Sequence, residues 1–141
     1  SQVQGLAVGD RVATLFFPHW QSGKPDARAL SDARGAESAG AFTEHFVSDE
    51  RGLIKLPDGL SYAEGATLPC AAVTAWNSLF EAGELKPGQT VLLLGTGGVS
   101  IFALQFAKAA GAKVIITSSD DAKLERARTA ARAAYEAVVD R

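Results

Sequence analysis

The sequence predicts an α/β protein in which a β-rich first half precedes a glycine turn between a buried strand and a helix. Three observations predict this fold class. Short stretches of alternating polar and apolar residues lie within residues 5–60, residues 91–95 form the apolar run VLLLG, and helical spacing of apolar residues begins directly after it. Strand, glycine turn, helix and strand in this order form one βαβ unit over residues 90–119.

Composition limits the size and the partners of the protein. With 141 residues, 47% of them hydrophobic, the chain is long enough for one ordinary domain but not for two complete ones. The net charge of -2 gives no electrostatic reason to expect nucleic acid or an anionic membrane as a partner. We therefore expect a small-molecule ligand.

The cysteine count and the apolar runs predict the compartment. Cys70 is the only cysteine, which excludes an internal disulfide and a zinc lobe of four cysteines within this chain. No apolar run approaches the roughly 20 residues of a membrane span, and residues 1–10 lack the pattern of a signal peptide. The expectation is a soluble, cytoplasmic protein.

The first half contains three predicted strands. Gly9 and Asp10 indicate a turn that leads into a strand over residues 11–17, and a loop rich in Gly, Ser, Asp and Pro follows over residues 18–40. Residues 41–49 alternate again and predict a second strand, and a short third strand begins at Leu53 and ends at the Pro57 turn.

A helical region follows. Ser61 and Glu64 have the spacing of a capping box, in which each side chain satisfies a free backbone N–H of the other residue, so a helix is expected to start there. Pro69 is expected to interrupt this helix. A second helical stretch, with Val73, Trp76, Leu79 and Phe80 at helical spacing, stops at Gly83.

The glycine turn has the position of a dinucleotide fingerprint. Residues 95–100 read GTGGVS, after a wholly apolar strand of the kind that is covered on both faces, and they open a helix. Gly95 permits the tight turn and Gly97 permits close approach of a phosphate, while Ser100 replaces the third glycine, where the scheme already tolerates alanine. The N–H groups of Gly97, Gly98 and Val99 would hold the pyrophosphate. The alternative is a turn that needs only small residues.

The end of the second parallel strand indicates the cofactor. An acidic residue there would bind the ribose of NAD, but the strand ends in Thr117, Ser118 and Ser119. These two serines and Lys123 favour the 2′-phosphate of NADP over NAD. Asp120 and Asp121 argue the other way, because they either repel a phosphate or serve only as charges at the next helix N-terminus.

Three segments resemble the medium-chain dehydrogenase/reductase superfamily, which includes the zinc-type alcohol dehydrogenases and quinone oxidoreductases. They are VGDRV, LPDGLSYAEGATLPCAAVTAWNSLF and the run from LKPGQT to LERA, in the family's order. The resemblance implies part of a GroES-like catalytic domain over residues 1–73 and the N-terminal part of a Rossmann NAD(P)-binding domain over residues 74–141. It also implies hydride transfer between a nicotinamide and a quinone, enone, aldehyde, ketone or alcohol.

Site residues are carried over from this resemblance by position. Thr74 would lie close to the nicotinamide, and Cys70 falls where zinc-dependent members place a catalytic zinc ligand. A lone cysteine is a poor metal site, so we expect a buried small hydrophobe at Cys70 and no zinc. His19 and His45 are expected to be a loop and a strand residue, not ligands. No catalytic residue is identified.

The chain departs from the family in its length and its tail. The family's chains are usually much longer, so we expect a truncated form, whether a fragment, a deletion or an incomplete chain. After residue 128 two interpretations remain open. Either the helix runs on through Ala134 and AVVD is a displaced third strand, or the tail is a helix from a later part of the family's catalytic domain, brought up by a deletion. The intact protein is expected to be a homo-oligomer. The alternative function is a non-catalytic nucleotide-binding fragment or scaffold.

Overall fold

A computed structural model describes residues 3–139, which divide into two compact units. The first unit ends at Cys70 and the second begins at Ala71. Within the described residues, no helix is both long and apolar enough to cross a bilayer. The elements are mixed α and β, as the sequence predicts.

The first unit is built on a small antiparallel sheet. Strand β1 (Val12–Thr14) pairs with β2 (Leu53–Lys55), with Ala13 opposite Ile54. Lys55 Nζ lies 2.7 Å from Asp10 Oδ1, which joins the turn before β1 to the end of β2. This hydrogen bond lowers the pKa of Asp10 and raises that of Lys55.

The prediction of a strand over residues 41–49 is wrong. The described chain has no strand there, and Phe42 and Val47 are 109% and 95% exposed. The alternating pattern is present, but a strand also needs a partner for its backbone N–H and C=O groups. β1 pairs with β2 in a two-stranded sheet, and residues 41–49 pair with neither strand within residues 3–139. His45 is therefore not a strand residue.

The capping box is confirmed. Helix α1 (Tyr62–Thr67) starts after Ser61, whose N–H donates to Glu64 Oε2 at 2.8 Å while the Glu64 N–H donates to Ser61 Oγ at 3.2 Å. The α-helix is interrupted near Pro69, as predicted, because α1 ends at Thr67 and Pro69 lies in a π-helical turn, Leu68–Ala72. In a π-helical turn the backbone hydrogen bonds run to residue i−5 and not to residue i−4. The proline ring therefore avoids the clash with the carbonyl of residue i−4 that it would make in an α-helix.

The second unit opens with α2 (Val73–Trp76) and another π-helical turn, Asn77–Ala82, that ends at Gly83 as predicted. The buried side of this segment is formed by Ala75 and Leu79, while Val73 and Trp76 are exposed by about half. The Trp76 ring lies against Phe80 and Phe106, with centroid distances of 4.5 and 5.5 Å.

The predicted βαβ unit is confirmed. Strand β3 (Thr90–Leu94), helix α3 (Gly98–Ala109) and strand β4 (Lys113–Thr117) follow in order, and the two strands are parallel with Leu94 opposite Thr117. α3 packs on one face of this sheet around a core of small and branched residues, namely Leu93, Ala103, Leu104, Ala107, Ala112 and Ala127.

The other face of the parallel sheet is open within the described residues. Leu92, Leu94 and Ile115 are 59%, 76% and 56% exposed. The expectation that β3 is covered on both faces is therefore not met by residues 3–139.

The tail is helical. Helix α4 (Asp121–Val139) packs against α3, so the described part of AVVD does not form a third strand. Asp140 lies outside the described residues. The Ala-rich composition after residue 127 and the lack of glycine explain the continuous helix.

Candidate functional site

The glycine turn brings four predicted site residues together at one end of β3. Gly95 follows the strand with φ +82°, a left-handed conformation that favours glycine, and Gly97 is the N-cap of α3. Gly98 and Val99 form the first turn of the helix. The first backbone N–H groups of any α-helix have no intrahelical acceptor, and within residues 3–139 no side chain caps those of α3.

The space in front of this turn is free of the described chain. A Cβ built on Gly95 or on Gly97 would meet no heavy atom within 4 Å, and one on Gly98 would meet only Ala71 Cβ at 3.7 Å. Contacts within residues 3–139 therefore do not require glycine at position 97. Free N–H groups, a helix dipole and an open approach fit an oxyanion such as a pyrophosphate.

Ser100, at the third position of the fingerprint, has a role that the sequence analysis missed. Its hydroxyl donates to the Leu94 carbonyl at 3.3 Å. A serine here adds a hydrogen bond between the first turn of α3 and the end of β3, and its side chain is directed to the strand and not to the open space.

The end of β4 is joined to the glycine turn by hydroxyl groups. Thr117 Oγ1 accepts from the Gly95 N–H at 3.2 Å, and the hydroxyls of Thr96 and Ser118 lie 3.4 Å apart. Ser118 Oγ also accepts from the Asp120 N–H at 3.2 Å. Thr96 and Thr117 were not among the predicted site residues. Only the strand register, which pairs Leu94 with Thr117, would have indicated them.

The residues after β4 divide into a capping group and an exposed group. Asp120 Oδ1 accepts from the Lys123 N–H at 3.1 Å, so this carboxylate caps α4. Ser119 and the Lys123 side chain are exposed and have no hydrogen-bond or ion-pair partner within residues 3–139. An anion at this edge would meet their hydroxyl and ammonium groups.

Thr74 lies on α2, which packs against α3, and it is exposed.

Cys70 is exposed, so the expectation of a buried small hydrophobe is wrong. It lies in the π-helical turn Leu68–Ala72, and the general tendency of cysteine to be buried, on which the prediction rests, does not decide the exposure of one position. Residues 3–139 contain no group of three His, Cys, Asp or Glu side chains able to hold a metal ion. His19 is a loop residue, with Nε2 3.5 Å from Asp32 Oδ2.

Proteins with sequences or solved structures similar to this chain indicate its family. No family model matches the sequence. A zinc-type alcohol dehydrogenase-like protein of Schizosaccharomyces pombe is 52% identical over 128 residues, which are 89% of this chain and 37% of that protein. A crystal structure from Sinorhizobium meliloti, described as an alcohol dehydrogenase, matches 91% of this chain with a TM-score of 0.84 and 42% identity.

The chain belongs to the medium-chain dehydrogenase/reductase superfamily.

Other solved members of this superfamily match the same chain. An NAD-dependent alcohol dehydrogenase matches 90% of it, with a TM-score of 0.76 and 32% identity, over 39% of its own chain. A Thermus thermophilus quinone oxidoreductase, solved also with NADPH, matches 57% of this chain and 27% of its own, with a TM-score of 0.52 and 31% identity. Both nicotinamide cofactors therefore occur in the names of its neighbours. The Sinorhizobium structure is matched over 38% of its length, so this chain spans well under half of these relatives.

Proposed function

We propose that the turn from Gly95 to Val99 binds the pyrophosphate of NADPH. The observation that carries this proposal is the uncapped N-terminus of α3 behind two glycines whose Cβ positions face open space. The proposed donors are the N–H groups of Gly97, Gly98 and Val99. Membership of a dehydrogenase superfamily supports a nicotinamide dinucleotide over another phosphate ester.

The preference for NADPH rests on the residues that follow β4. Ser119 and Lys123 offer an exposed hydroxyl and an exposed ammonium to a 2′-phosphate, and Ser118 stands beside them. Asp120 is the residue that would repel that phosphate. Its Oδ1 accepts a hydrogen bond from the Lys123 N–H in the first turn of α4. This engagement supports the interpretation of Asp120 as a helix cap and not as a ribose ligand.

The domain assignment is part of the proposal. Residues 1–73 correspond to part of a GroES-like catalytic domain and residues 74–141 to the N-terminal part of a Rossmann domain. The matches to superfamily structures over about nine-tenths of the chain support this assignment. Thr74, at the start of the second domain, is the proposed neighbour of the nicotinamide.

We further infer that the protein is an oxidoreductase. The bound cofactor supplies hydride chemistry, and the chain's own residues hold and orient the dinucleotide. The proposed substrate is a small quinone, enone, aldehyde, ketone or alcohol. The proposed enzyme uses no catalytic zinc. We also propose that the intact protein is a cytoplasmic homo-oligomer and that it binds neither nucleic acid nor membranes.

Calorimetric titration of the purified chain with NADPH, and separately with NADH, tests the cofactor proposal. Saturable binding with clearly higher affinity for NADPH is the expected result. Higher affinity for NADH would overturn the NADP preference and leave the pyrophosphate site standing. Absence of binding to both, in a chain with the expected helix content by circular dichroism, would overturn the site itself.

A second candidate is a nucleotide-binding module without turnover. A Rossmann domain is built from two mononucleotide-binding halves, and residues 71–139 contain one βαβ unit with an open sheet face at Leu92, Leu94 and Ile115. That observation favours binding of the adenosine and pyrophosphate half alone. NADPH oxidation with a simple quinone separates the candidates, because the module binds NADPH without consuming it.

A further inference from the structure

The first unit contains an open cavity of about 470 Å³ that is separate from the residues of the proposed cofactor site. This volume is in the range of roughly 300–1,000 Å³ that small-molecule sites occupy. Its walls are mostly apolar and include Val12, Ala13, Phe16, Phe46, Leu56 and Pro69.

Arg34 lines one wall of the cavity, and its guanidinium group is only partly satisfied by hydrogen bonds. Arg34 Nη2 donates to Ser48 Oγ at 3.2 Å, and the guanidinium lies 5.7 Å from the centroid of the Phe46 ring. Arg34 Nε is closed to solvent and has no hydrogen-bond partner among the described residues, so a ligand in the cavity would neutralise the charge from the Nη side of the guanidinium. A buried donor without an acceptor is costly, and more so when it is charged.

Among the residues that line the cavity, only Arg34 carries a charge. None of the residues that line it is an aspartate or a glutamate. Arg34 makes no ion pair within residues 3–139. A charged group in an apolar wall is stabilised by an opposite charge that brings its own hydrogen-bond acceptors. A carboxylate meets both requirements, because its two oxygens match the planar fork of a guanidinium.

We propose that this cavity binds an organic carboxylate with an apolar or aromatic body, and that Arg34 receives the carboxylate. The aromatic rings of Phe16 and Phe46 contact the body of the ligand. The site lies within the first unit and does not depend on cofactor binding, so its failure and that of the cofactor proposal are distinguishable.

Cys70 provides a local probe of this cavity. It is exposed, it lines the same cavity, and it is the only cysteine in the chain, so alkylation by iodoacetamide reports on this one place. The full chain is alkylated with and without 3-phenylpropanoate, and in parallel with 3-phenylpropanamide, which has the same shape and no charge. We expect 3-phenylpropanoate to slow the reaction by about tenfold at saturation and to bind about tenfold more tightly than the amide.

Variants link the effect to Arg34. Arg34→Gln removes the charge and is expected to abolish the preference for the acid, whereas Arg34→Lys retains part of it as a point charge. Arg51→Gln is the matched control, since Arg51 pairs with Asp49 and lies outside this cavity. If Arg34→Gln fails to fold by circular dichroism, the comparison of acid and amide on the unsubstituted chain decides. Equal protection by the two compounds, or protection by neither, would overturn the proposal.

Discussion

The backbone N–H of Gly95 donates to Thr117 Oγ1 over 3.2 Å, which joins the glycine turn after β3 to the last residue of β4. The hydroxyls of Thr96 and Ser118, 3.4 Å apart, add a second link one residue further along each strand. The Ser100 hydroxyl holds the other side of the turn to Leu94. The turn is thus fixed from both sides by side-chain hydroxyls, which preorganises it for a ligand.

Thr117→Val tests this link. Valine keeps the shape of threonine and removes the acceptor for the Gly95 N–H, so the turn loses one restraint. We expect affinity for NADPH and for NADH to fall by the same factor, about three- to tenfold, in calorimetric titrations.

Thr129→Val is the control for this substitution, because the Thr129 hydroxyl donates within α4 to the Glu125 carbonyl. It should change neither affinity. Loss of affinity for only one cofactor in Thr117→Val would show that Thr117 acts on the ribose and not on the turn.

Lys123→Gln separates the 2′-phosphate from the pyrophosphate. Removal of the ammonium group should weaken NADPH binding by about tenfold at low salt and leave NADH binding unchanged. Because Lys123 is exposed, the difference should shrink as ionic strength rises. Lys113→Gln, at the opposite end of β4, is the control. An equal loss for both cofactors would contradict the proposed role.

The sequence predicts those parts of the fold that depend on neighbouring residues. Ser61 and Glu64 are three positions apart, so their capping box follows from spacing alone, and the apolar run before Gly95 predicts β3 and the turn. The hydroxyl link between Gly95 and Thr117 joins residues 22 positions apart and depends on strand register. No local pattern contains that information.

The wrong prediction of a strand over residues 41–49 shows what a local pattern leaves out. Their alternation satisfies the local rule for a strand, but the pairing partner is a property of the whole fold. The prediction of a buried Cys70 is wrong because the general tendency of cysteine to be buried does not say which side of its turn faces outward.

Gly83 is required for steric reasons. A Cβ at this position would lie 2.7 Å from the Ser78 carbonyl oxygen and 3.0 Å from that of Leu79, and backbone atoms cannot rotate away. Gly83→Ala should therefore lower the free energy of unfolding by about 1–3 kcal/mol in urea titrations. Gly59→Ala is the control, since a Cβ there meets nothing within 4 Å. Equal stability of the two variants would refute the steric argument.

The capping box predicts a pH dependence of stability. The Ser61 hydroxyl, and then its backbone N–H, lower the pKa of Glu64 below the ordinary value of 4.5. A carboxyl group whose pKa is lower in the folded state stabilises the fold above its unfolded pKa, and this contribution is lost as the pH falls through the folded pKa. The stability advantage of the unsubstituted chain over Glu64→Gln should therefore decrease as the pH falls below 4.5.

Thermal unfolding across this pH range measures the effect, with Glu44→Gln as the control. Glu44 is exposed and accepts no hydrogen bond from any described residue. A pH-independent difference between Glu64→Gln and the unsubstituted chain would be inconsistent with the capping role.

Gly97→Ala, titrated with NADPH beside the unsubstituted chain, tests the central claim most directly. The new Cβ contacts nothing in the described chain and the backbone has φ −76°, so stability should change by less than about 0.5 kcal/mol. The methyl group would occupy the approach of the pyrophosphate, so NADPH affinity should fall at least about tenfold in a chain that is folded normally. Unchanged NADPH affinity in Gly97→Ala would contradict the claim that this turn binds the dinucleotide.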